Sequence, residues 1–160
     1  MHDADELWVP QAVLDIWGAG SSDFFAVGSG GMIRKWNGTS WTDQTSGITD
    51  QIEGVWGWAA NDVVAVSQAG HVLRYDGTSW TQIASPAPGL ALFSVWGPSR
   101  SDFFVGGSDG AVFHYDGAHW APVAAGATTS VISIGGAGDK IFVFEQQRST
   151  FHRFVRTTTW

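Results

Sequence analysis

The segment "LRYDGTSW" (residues 73–80) occurs in three closely similar versions along the chain. The other two are "RKWNGTSW" at 34–41 and "FHYDGAHW" at 113–120. Each version contains an aromatic residue, an Asn or Asp, a Gly and a final Trp in the same order. Asn-Gly and Asp-Gly are the dipeptides that a tight β-hairpin prefers, because they tolerate positive φ. Three hairpins of the same design predict a repeated β-structure.

The final Trp of each version marks a regular spacing. Trp41, Trp80, Trp120 and Trp160 follow one another at intervals of 39, 40 and 40 residues. A second Trp recurs with nearly the same period in "DIWG", "GVWG" and "SVWG", at Trp17, Trp56 and Trp96. An Asp follows each of these six positions later, at Asp23, Asp62 and Asp102. Three markers with one period indicate an internal repeat of about 40 residues.

Each repeat predicts four short strands. In the second unit these are "QIEGVWG", "DVVAVS", "HVLRY" and "WTQIA", separated by joints rich in Gly, Asn, Asp and Ser. Several strands are apolar on both faces, which is typical of a sheet covered on both sides. No stretch has the periodicity of an amphipathic helix. An all-β chain with a four-stranded sheet in every repeat is predicted to be a β-propeller.

The chain resembles the bacterial β-propeller repeat proteins of the BNR-like and WD-repeat-like (YVTN and Asp-box-like) superfamily. The "WG" pairs, the Asp with its following apolar residues and the "YDG…W" segments carry this resemblance, which covers about residues 8–160. "YDGTSW" is similar to an Asp-box that is one residue shorter between Asp and Gly. The resemblance implies a propeller and no single activity, and we expect no cofactor.

We expect one domain over residues 1–160, with blade units at approximately 13–45, 52–84, 91–124 and 130–160. The fourth unit departs from the pattern: Gly135 stands in the Trp position, Lys140 stands at or beside the Asp position, and the unit stops at Trp160. The segment "WVPQA" at 8–12 matches the outer strands of the other units. We therefore predict that the N-terminus supplies the outer strand of the fourth blade, which removes an exposed sheet edge.

Two ways of closing the ring remain open at the level of sequence. Within one chain, the strand exchange produces a four-bladed propeller. Between two chains, two sets of four blades produce one eight-bladed homodimer with two-fold symmetry.

Composition excludes several classes of function. A net charge of −7 with eight Lys and Arg argues against nucleic-acid binding, which depends on clustered basic residues. The absence of Cys excludes disulfides and thiolate chemistry. No segment has the roughly 18 apolar residues of a membrane helix, and the acidic start "MHDADELW" is not a signal peptide. We expect no membrane partner, and the compartment is not predicted.

The repeated aromatic and acidic residues are interpreted as structural. The aromatics are expected to pair across strands and to fill the space between wedge-shaped blades. They are Trp17, Trp56 and Trp96 on the first strands, Trp36, Tyr75 and Tyr115 on the third, and Trp41, Trp80 and Trp120 on the fourth. The aspartates Asp23, Asp62 and Asp102 are expected to accept N–H groups of the preceding loop. The alternatives are one aromatic sugar pocket in each blade and a ring of carboxylates.

A second charged position recurs before the third-strand aromatic. It is occupied by Lys35, Arg74, His114 and Arg153. We expect each cation to pair with a carboxylate or to stack on a ring within its own blade interface. The alternative is a ring of cations that holds an anion.

Residues that interrupt the repeat are the candidate binding residues, because blade packing does not require them. Trp58 and Arg100 are predicted to lie in turns between first and second strands, and His119 in a turn between third and fourth strands. Strand alternation puts both kinds of turn at the same end of the blades. A Trp near an Arg suits recognition of a glycan or a protein. The alternative is surface decoration or an oligomer contact.

No enzyme motif is present, and the His residues have no metal-ligand spacing. We therefore predict no catalytic residue and no metal site. The predicted function is a non-catalytic binding module with a glycan or protein ligand on one ring face. The alternatives are a self-assembling structural module and a sialidase-like hydrolase or lyase.

Overall fold

The structure, a computed structural model, describes residues 11–146 and the backbone of residues 151–155. In this part of the chain the strands form four antiparallel sheets, each a meander in sequence order. Three sheets have four strands and the last has three. The described residues contain no α-helix, and hence none that could span a membrane. The prediction of an all-β propeller with four blades is confirmed.

Each sheet is one blade. Blade 1 contains β1 (Val13–Gly20), β2 (Asp23–Gly28), β3 (Ile33–Trp36) and β4 (Trp41–Gln44). Blade 2 contains β5 (Ile52–Ala59), β6 (Asp62–Ser67), β7 (Val72–Tyr75) and β8 (Trp80–Ile83). Blade 3 contains β9 (Leu92–Ser99), β10 (Asp102–Gly107), β11 (Val112–Tyr115) and β12 (Trp120–Pro122). Blade 4 contains β13 (Val131–Ala137), β14 (Lys140–Glu145) and β15 (Phe151–Val155).

The Asn-Gly and Asp-Gly segments form the turns between third and fourth strands. The side-chain Oδ1 atoms of Asn37, Asp76 and Asp116 each accept two backbone N–H groups, two and three residues further on, at 2.7–2.9 Å. Positive φ is confined to the glycine that follows, for example 99° at Gly77. The Asn and Asp therefore act through a side-chain acceptor, and not through positive φ as the sequence suggested.

The aromatic residues that flank these turns pair across the strands. Trp36 with Trp41, Tyr75 with Trp80, and Tyr115 with Trp120 lie opposite one another, with ring centroids 4.9–5.6 Å apart. Such pairs stabilise a sheet beyond the area that they bury.

The "WG" pairs act between blades. A Cβ atom on Gly57 of blade 2 would lie 2.6 Å from the ring of Trp17 in blade 1. At Gly136 of blade 4 the corresponding distance to Trp96 of blade 3 is 2.8 Å. These separations are too short for any side chain, so the first strands of blades 2 and 4 need Gly where the Trp of the preceding blade lies.

The hydrophobic core consists of three clusters, one between each pair of successive blades. Phe25, Phe103 and Phe104 are completely buried in them. The first strands pack in order, β1 on β5, β5 on β9 and β9 on β13. The described blades therefore pack one after another in a row, held together by apolar contacts.

Blade 4 has the departures that the sequence indicated. Gly135 pairs with Phe142 as Trp17 pairs with Phe25, so a glycine occupies the Trp position. Lys140 pairs with Ala137 as Asp62 pairs with Ala59, so a lysine occupies the Asp position.

The predicted outer strand at 8–12 falls largely outside the described residues. Ala12 is described, and its carbonyl oxygen accepts the N–H of Ser29 at 3.0 Å. Closure of the ring by residues 8–12 stays a prediction.

The outward faces of blades 1 and 4 are open in the described part of the chain. On blade 1, Ile16 and Trp41 are 54% and 44% exposed, whereas the equivalent Val55 and Trp80 of blade 2 are buried. On blade 4, Phe142 is 41% exposed, whereas the equivalent Phe25 is buried. The positions that form the core between successive blades thus remain uncovered at both ends of the row.

Candidate functional site

Two kinds of turn meet at one end of the blades. The turn glycines Gly77 and Gly117 lie against Asn61 and Ser101 of the turns between first and second strands, since a Cβ atom on each would come within 2.9 Å and 2.8 Å of them. This end, made of residues 60–61, 76–79, 100–101, 116–119 and their equivalents, is called the hairpin face below.

The repeated Asp and the repeated cation of each blade pair with each other near this face. Arg74 Nη2 lies 2.8 Å from Asp62 Oδ1, and His114 Nε2 lies 2.8 Å from Asp102 Oδ1. In blade 1, Lys35 Nζ is 3.9 Å from Asp23 Oδ1. Each of the three aspartates thus pairs with a side chain of its own blade, and acceptance of N–H groups from the preceding loop stays a prediction. The pairing agrees with the expected role of the cations.

A second arginine joins the pair of blade 2. Arg100, in the turn between β9 and β10, places its Nε 3.5 Å from Asp62 Oδ2. Arg74 spans the same boundary, because its Nη1 donates to the carbonyl oxygen of Arg100 at 3.4 Å. The carboxylate of Asp62 is therefore shared by two guanidinium groups from two blades.

Trp58 lies beneath this cluster. It belongs to strand β5 and not to the following turn, which corrects the prediction from sequence. Its Nε1 donates to the carbonyl oxygen of Gly97 at 2.8 Å, its ring lies 5.4 Å from that of Phe103, and Arg74 lies 5.9 Å from its centre. Contacts across the boundary between blades 2 and 3 thus occupy the indole.

A groove of about 310 Å³ opens above these residues on the hairpin face. It is lined by Ala59, Asn61, Asp62, Arg74, Tyr75, Asp76, Thr81 and Arg100. Asp62 and Arg74 are largely buried, whereas the side chain of Arg100 is 70% exposed. The floor of the groove is therefore the ion pair of Asp62 and Arg74, and its rim carries the exposed, positively charged side chain of Arg100.

His119 lies apart from this cluster. Its exposed side chain is in the turn between β11 and β12, with Nδ1 3.8 Å from Asp116 Oδ2. Among the described residues, no hydrogen bond, ion pair or ring contact joins His119 to Trp58 or Arg100. The structure brings together two of the three predicted binding residues, through Arg74 and Asp62.

Two groove residues were missed in the sequence. Asn61 and Thr81 occupy ordinary turn and strand positions of blade 2, and nothing in their local pattern distinguishes them. The sequence did contain a signal that Trp58 lies on the strand and faces blade 3. Trp58 follows Trp56 by two residues, and side chains two residues apart on a strand lie on the same face. Both indoles in fact donate to the same carbonyl, that of Gly97.

A second cavity of about 330 Å³ lies along the first strands of all four blades. Asp15, which lines it, accepts the N–H of Val55 at 2.9 Å and that of Ile16 at 2.9 Å. Burial raises the pKa of Asp15, although these two hydrogen bonds act in the opposite direction. The carboxylate therefore links blades 1 and 2. Within the described residues, no cluster of three or more His, Asp or Glu side chains could hold a metal ion.

Comparisons with known proteins identify the fold. No protein-family model matches the chain, and no curated protein matches it. Among solved structures, YCF48 bound to D1 peptide is 16% identical with a TM-score of 0.67, over 93% of this chain and 55% of that one. The WD40 β-propeller domain of Doa1 is 13% identical with a TM-score of 0.75, over 92% of this chain and 52% of that one. The computationally designed Ika4 protein is 16% identical with a TM-score of 0.74, over 92% of this chain and 93% of that one.

These similarities establish a β-propeller fold. The chain spans about half the length of YCF48 and of the Doa1 chain, and nearly the whole of Ika4.

Proposed function

We propose that the protein is a non-catalytic propeller module that binds an extended peptide segment in the groove between blades 2 and 3. The segment carries a carboxylate side chain, which pairs with Arg100. The observation that carries this proposal is an exposed guanidinium at the rim of a polar groove, above a largely buried ion pair.

The hydrogen-bonding capacity of the two arginines differs. Arg74 donates from Nε and Nη2 to Asp62 and from Nη1 to the carbonyl oxygen of Arg100. Arg100 contacts Asp62 through Nε alone, at 3.5 Å, and its terminal nitrogens have no partner among the described residues. A guanidinium with free terminal nitrogens binds a carboxylate through two parallel hydrogen bonds. Arg100 is therefore the group that takes the ligand's charge.

The groove suits a peptide better than a glycan. A sugar site of the kind suggested by Trp58 needs an open aromatic ring face. The Trp58 indole is occupied by Phe103 and Arg74, and Tyr75 is buried with its hydroxyl donating to the Gly77 carbonyl at 2.9 Å. The amide of Asn61 and the hydroxyl of Thr81 instead provide donors and acceptors for a peptide backbone. YCF48, which has the same fold, was solved with a peptide bound.

The test is a peptide array followed by fluorescence polarisation on the selected sequences. We expect peptides with Asp or Glu to bind, and their Asn or Gln counterparts to bind more weakly. Arg100→Ala should weaken binding by about tenfold or more, because a hydrogen bond to a charged group contributes roughly 1.5–3 kcal/mol. Arg100 is exposed, so the fold should be retained.

Lys140→Ala is the matched control, since it removes one positive charge from an exposed side chain of blade 4. The proposal is wrong if Arg100→Ala and Lys140→Ala have the same effect, or if glycans bind in place of peptides. A screen with no binder also contradicts it.

A second candidate function is self-assembly into a larger ring. The specific observation that favours it is the pair of apolar faces that blades 1 and 4 leave open.

A further inference from the structure

The boundary between blades 1 and 2 has an aromatic contact that defines how one blade receives the next. Phe25 of blade 1 lies edge-on to Tyr75 and Trp80 of blade 2, with ring centroids 5.1 Å and 5.6 Å apart. All three rings are buried in the first core cluster. A Phe on the second strand of one blade thus fits between the third-strand and fourth-strand aromatics of the following blade.

The two open ends of the row carry the two halves of this contact. Phe142 is the blade 4 equivalent of Phe25. Trp36 and Trp41 are the blade 1 equivalents of Tyr75 and Trp80. With Ile16 and Phe24, these two Trp residues line an apolar hollow of about 270 Å³ on the open face of blade 1.

The two faces do not cover each other within the described part of one chain. Ile16, Trp41 and Phe142 are exposed although all four blades are present. The four blades superpose on 52% of the Doa1 propeller chain and 55% of the YCF48 chain, so those chains have room for about as many blades again, whereas Ika4 is matched over 93% of its length.

We propose that a second copy of this chain supplies as many blades again. The two copies form one eight-bladed ring with two-fold symmetry, in which Phe142 of each copy enters the hollow beside Trp36 and Trp41 of the other. Both joints are identical, and no apolar face is left uncovered. This inference rests on the second candidate function, self-assembly, and is independent of the peptide groove between blades 2 and 3.

The first measurement is the molar mass of the 160-residue chain by light scattering after size exclusion, over a range of micromolar concentrations. One chain has a mass of 17.2 kDa, so the ring of two copies has 2 × 17.2 = 34.4 kDa. A mass of one chain overturns the proposal, and so does an open series of larger species, since the copies would then join without closing.

Two variants test the surface. Trp41→Lys and Phe142→Glu each place a charge on an open face that is exposed in the single chain, so each should fold and elute at 17.2 kDa. Gln82→Lys and Gln82→Glu are the controls, because Gln82 is exposed on the outer strand of blade 2, and they should remain dimers. A dimer that survives both face substitutions contradicts the proposed joint.

Mixing the two variants is the sharper test. In a mixed ring one joint pairs the two substituted side chains, of opposite charge, and the other joint is entirely native. An equimolar mixture should therefore recover the 34.4 kDa species from two 17.2 kDa samples. A mixture that stays at the mass of one chain contradicts the two-fold ring.

The peptide assay separates this inference from the groove proposal. Arg100→Ala should leave the mass unchanged, and Phe142→Glu should leave peptide binding unchanged. Either proposal can then be overturned without the other.

Discussion

Trp17 of blade 1 lies against Gly57 of blade 2, close enough that a Cβ atom on Gly57 would be 2.6 Å from the indole. Trp17 thus packs on the following blade, whereas Gly18, the next residue in sequence, lies against the ring of Phe24 in its own blade.

Gly57→Ala should destabilise the protein by about 1–3 kcal/mol, because the added methyl group must displace the Trp17 ring from a close-packed boundary. The urea midpoint of unfolding measures this loss. Gly20→Ala is the control, since a Cβ atom there has no neighbour within 4 Å. Equal midpoints for the two variants would contradict the role given to the "WG" pair.

Asp76→Asn combined with Asp116→Asn should reduce the sensitivity of the fold to acid. Backbone N–H groups of Ser79 and Thr78 lower the pKa of Asp76, and those of His119 and Ala118 lower the pKa of Asp116. A lowered folded pKa contributes stability above the unfolded pKa, and this is lost as pH falls through the folded value. The loss therefore occurs below about pH 4.

Blade 1 carries Asn37 in this position, with the same two hydrogen bonds, so the amide fits the turn. The measurement is the difference in unfolding free energy between pH 7 and pH 3, which should be smaller in the double variant. Asp139→Asn is the control, because the Asp139 carboxylate accepts no such pair of N–H groups in the described structure. An unchanged difference in the double variant would show that the turn carboxylates do not titrate with folding.

Trp58→Phe should keep most of the stability that Trp58→Ala loses. The Phe variant loses the hydrogen bond to the Gly97 carbonyl, worth about 1 kcal/mol. The Ala variant also loses the contact with Phe103, and a half-buried indole should cost roughly 2–3 kcal/mol in all. Thermal unfolding ranks the variants. If Trp58 binds the ligand directly, the Phe variant will lose peptide affinity while keeping its melting temperature, which contradicts the structural role argued above.

Arg74→Ala should cost more than Lys35→Ala, although both residues occupy the same repeat position. Asp62 and Arg74 are largely buried and 2.8 Å apart, so removing Arg74 leaves the Asp62 carboxylate with only the 3.5 Å contact to Arg100, at a cost of about 2–4 kcal/mol. Lys35 and Asp23 are more exposed and 3.9 Å apart, and such pairs contribute about 1 kcal/mol or less. Denaturant titration of both variants checks the order. Equal losses would mean that burial of the Asp62 pair is unimportant.

The blades were predictable from sequence because their determinants are local. Asn37, Asp76 and Asp116 accept N–H groups two and three residues away. The residues that stabilise each turn therefore lie within one short segment, and that segment is recognisable in the sequence. The period of about 40 residues then places the strands. Alternation of the strand also assigns the two faces of each blade.

The candidate site was only partly predictable because its contacts join different blades. Arg100 and Asp62 are separated by a complete strand meander, and only the packing of blade 3 on blade 2 brings them to 3.5 Å. The extension of β5 through Trp58 depends on the same packing, since that indole bonds to Gly97 of the next blade. The open faces of blades 1 and 4 depend on the angle between blades, which no local pattern encodes.

Gly135 limits which repeats can be duplicated to lengthen the protein. Duplicating the segment from one first strand to the next, such as residues 52–91, adds a unit with its own Trp56 and its own Gly57, so the contact between a Trp and a Gly of successive first strands is available again. Duplicating blade 4 places Gly135 where the other blades have a Trp. The following copy of the blade would then have no indole to pack against, and a void would remain at the new boundary. Tandem copying of a unit such as blade 2 therefore keeps a Trp at the boundary between first strands, whereas copying of blade 4 removes it.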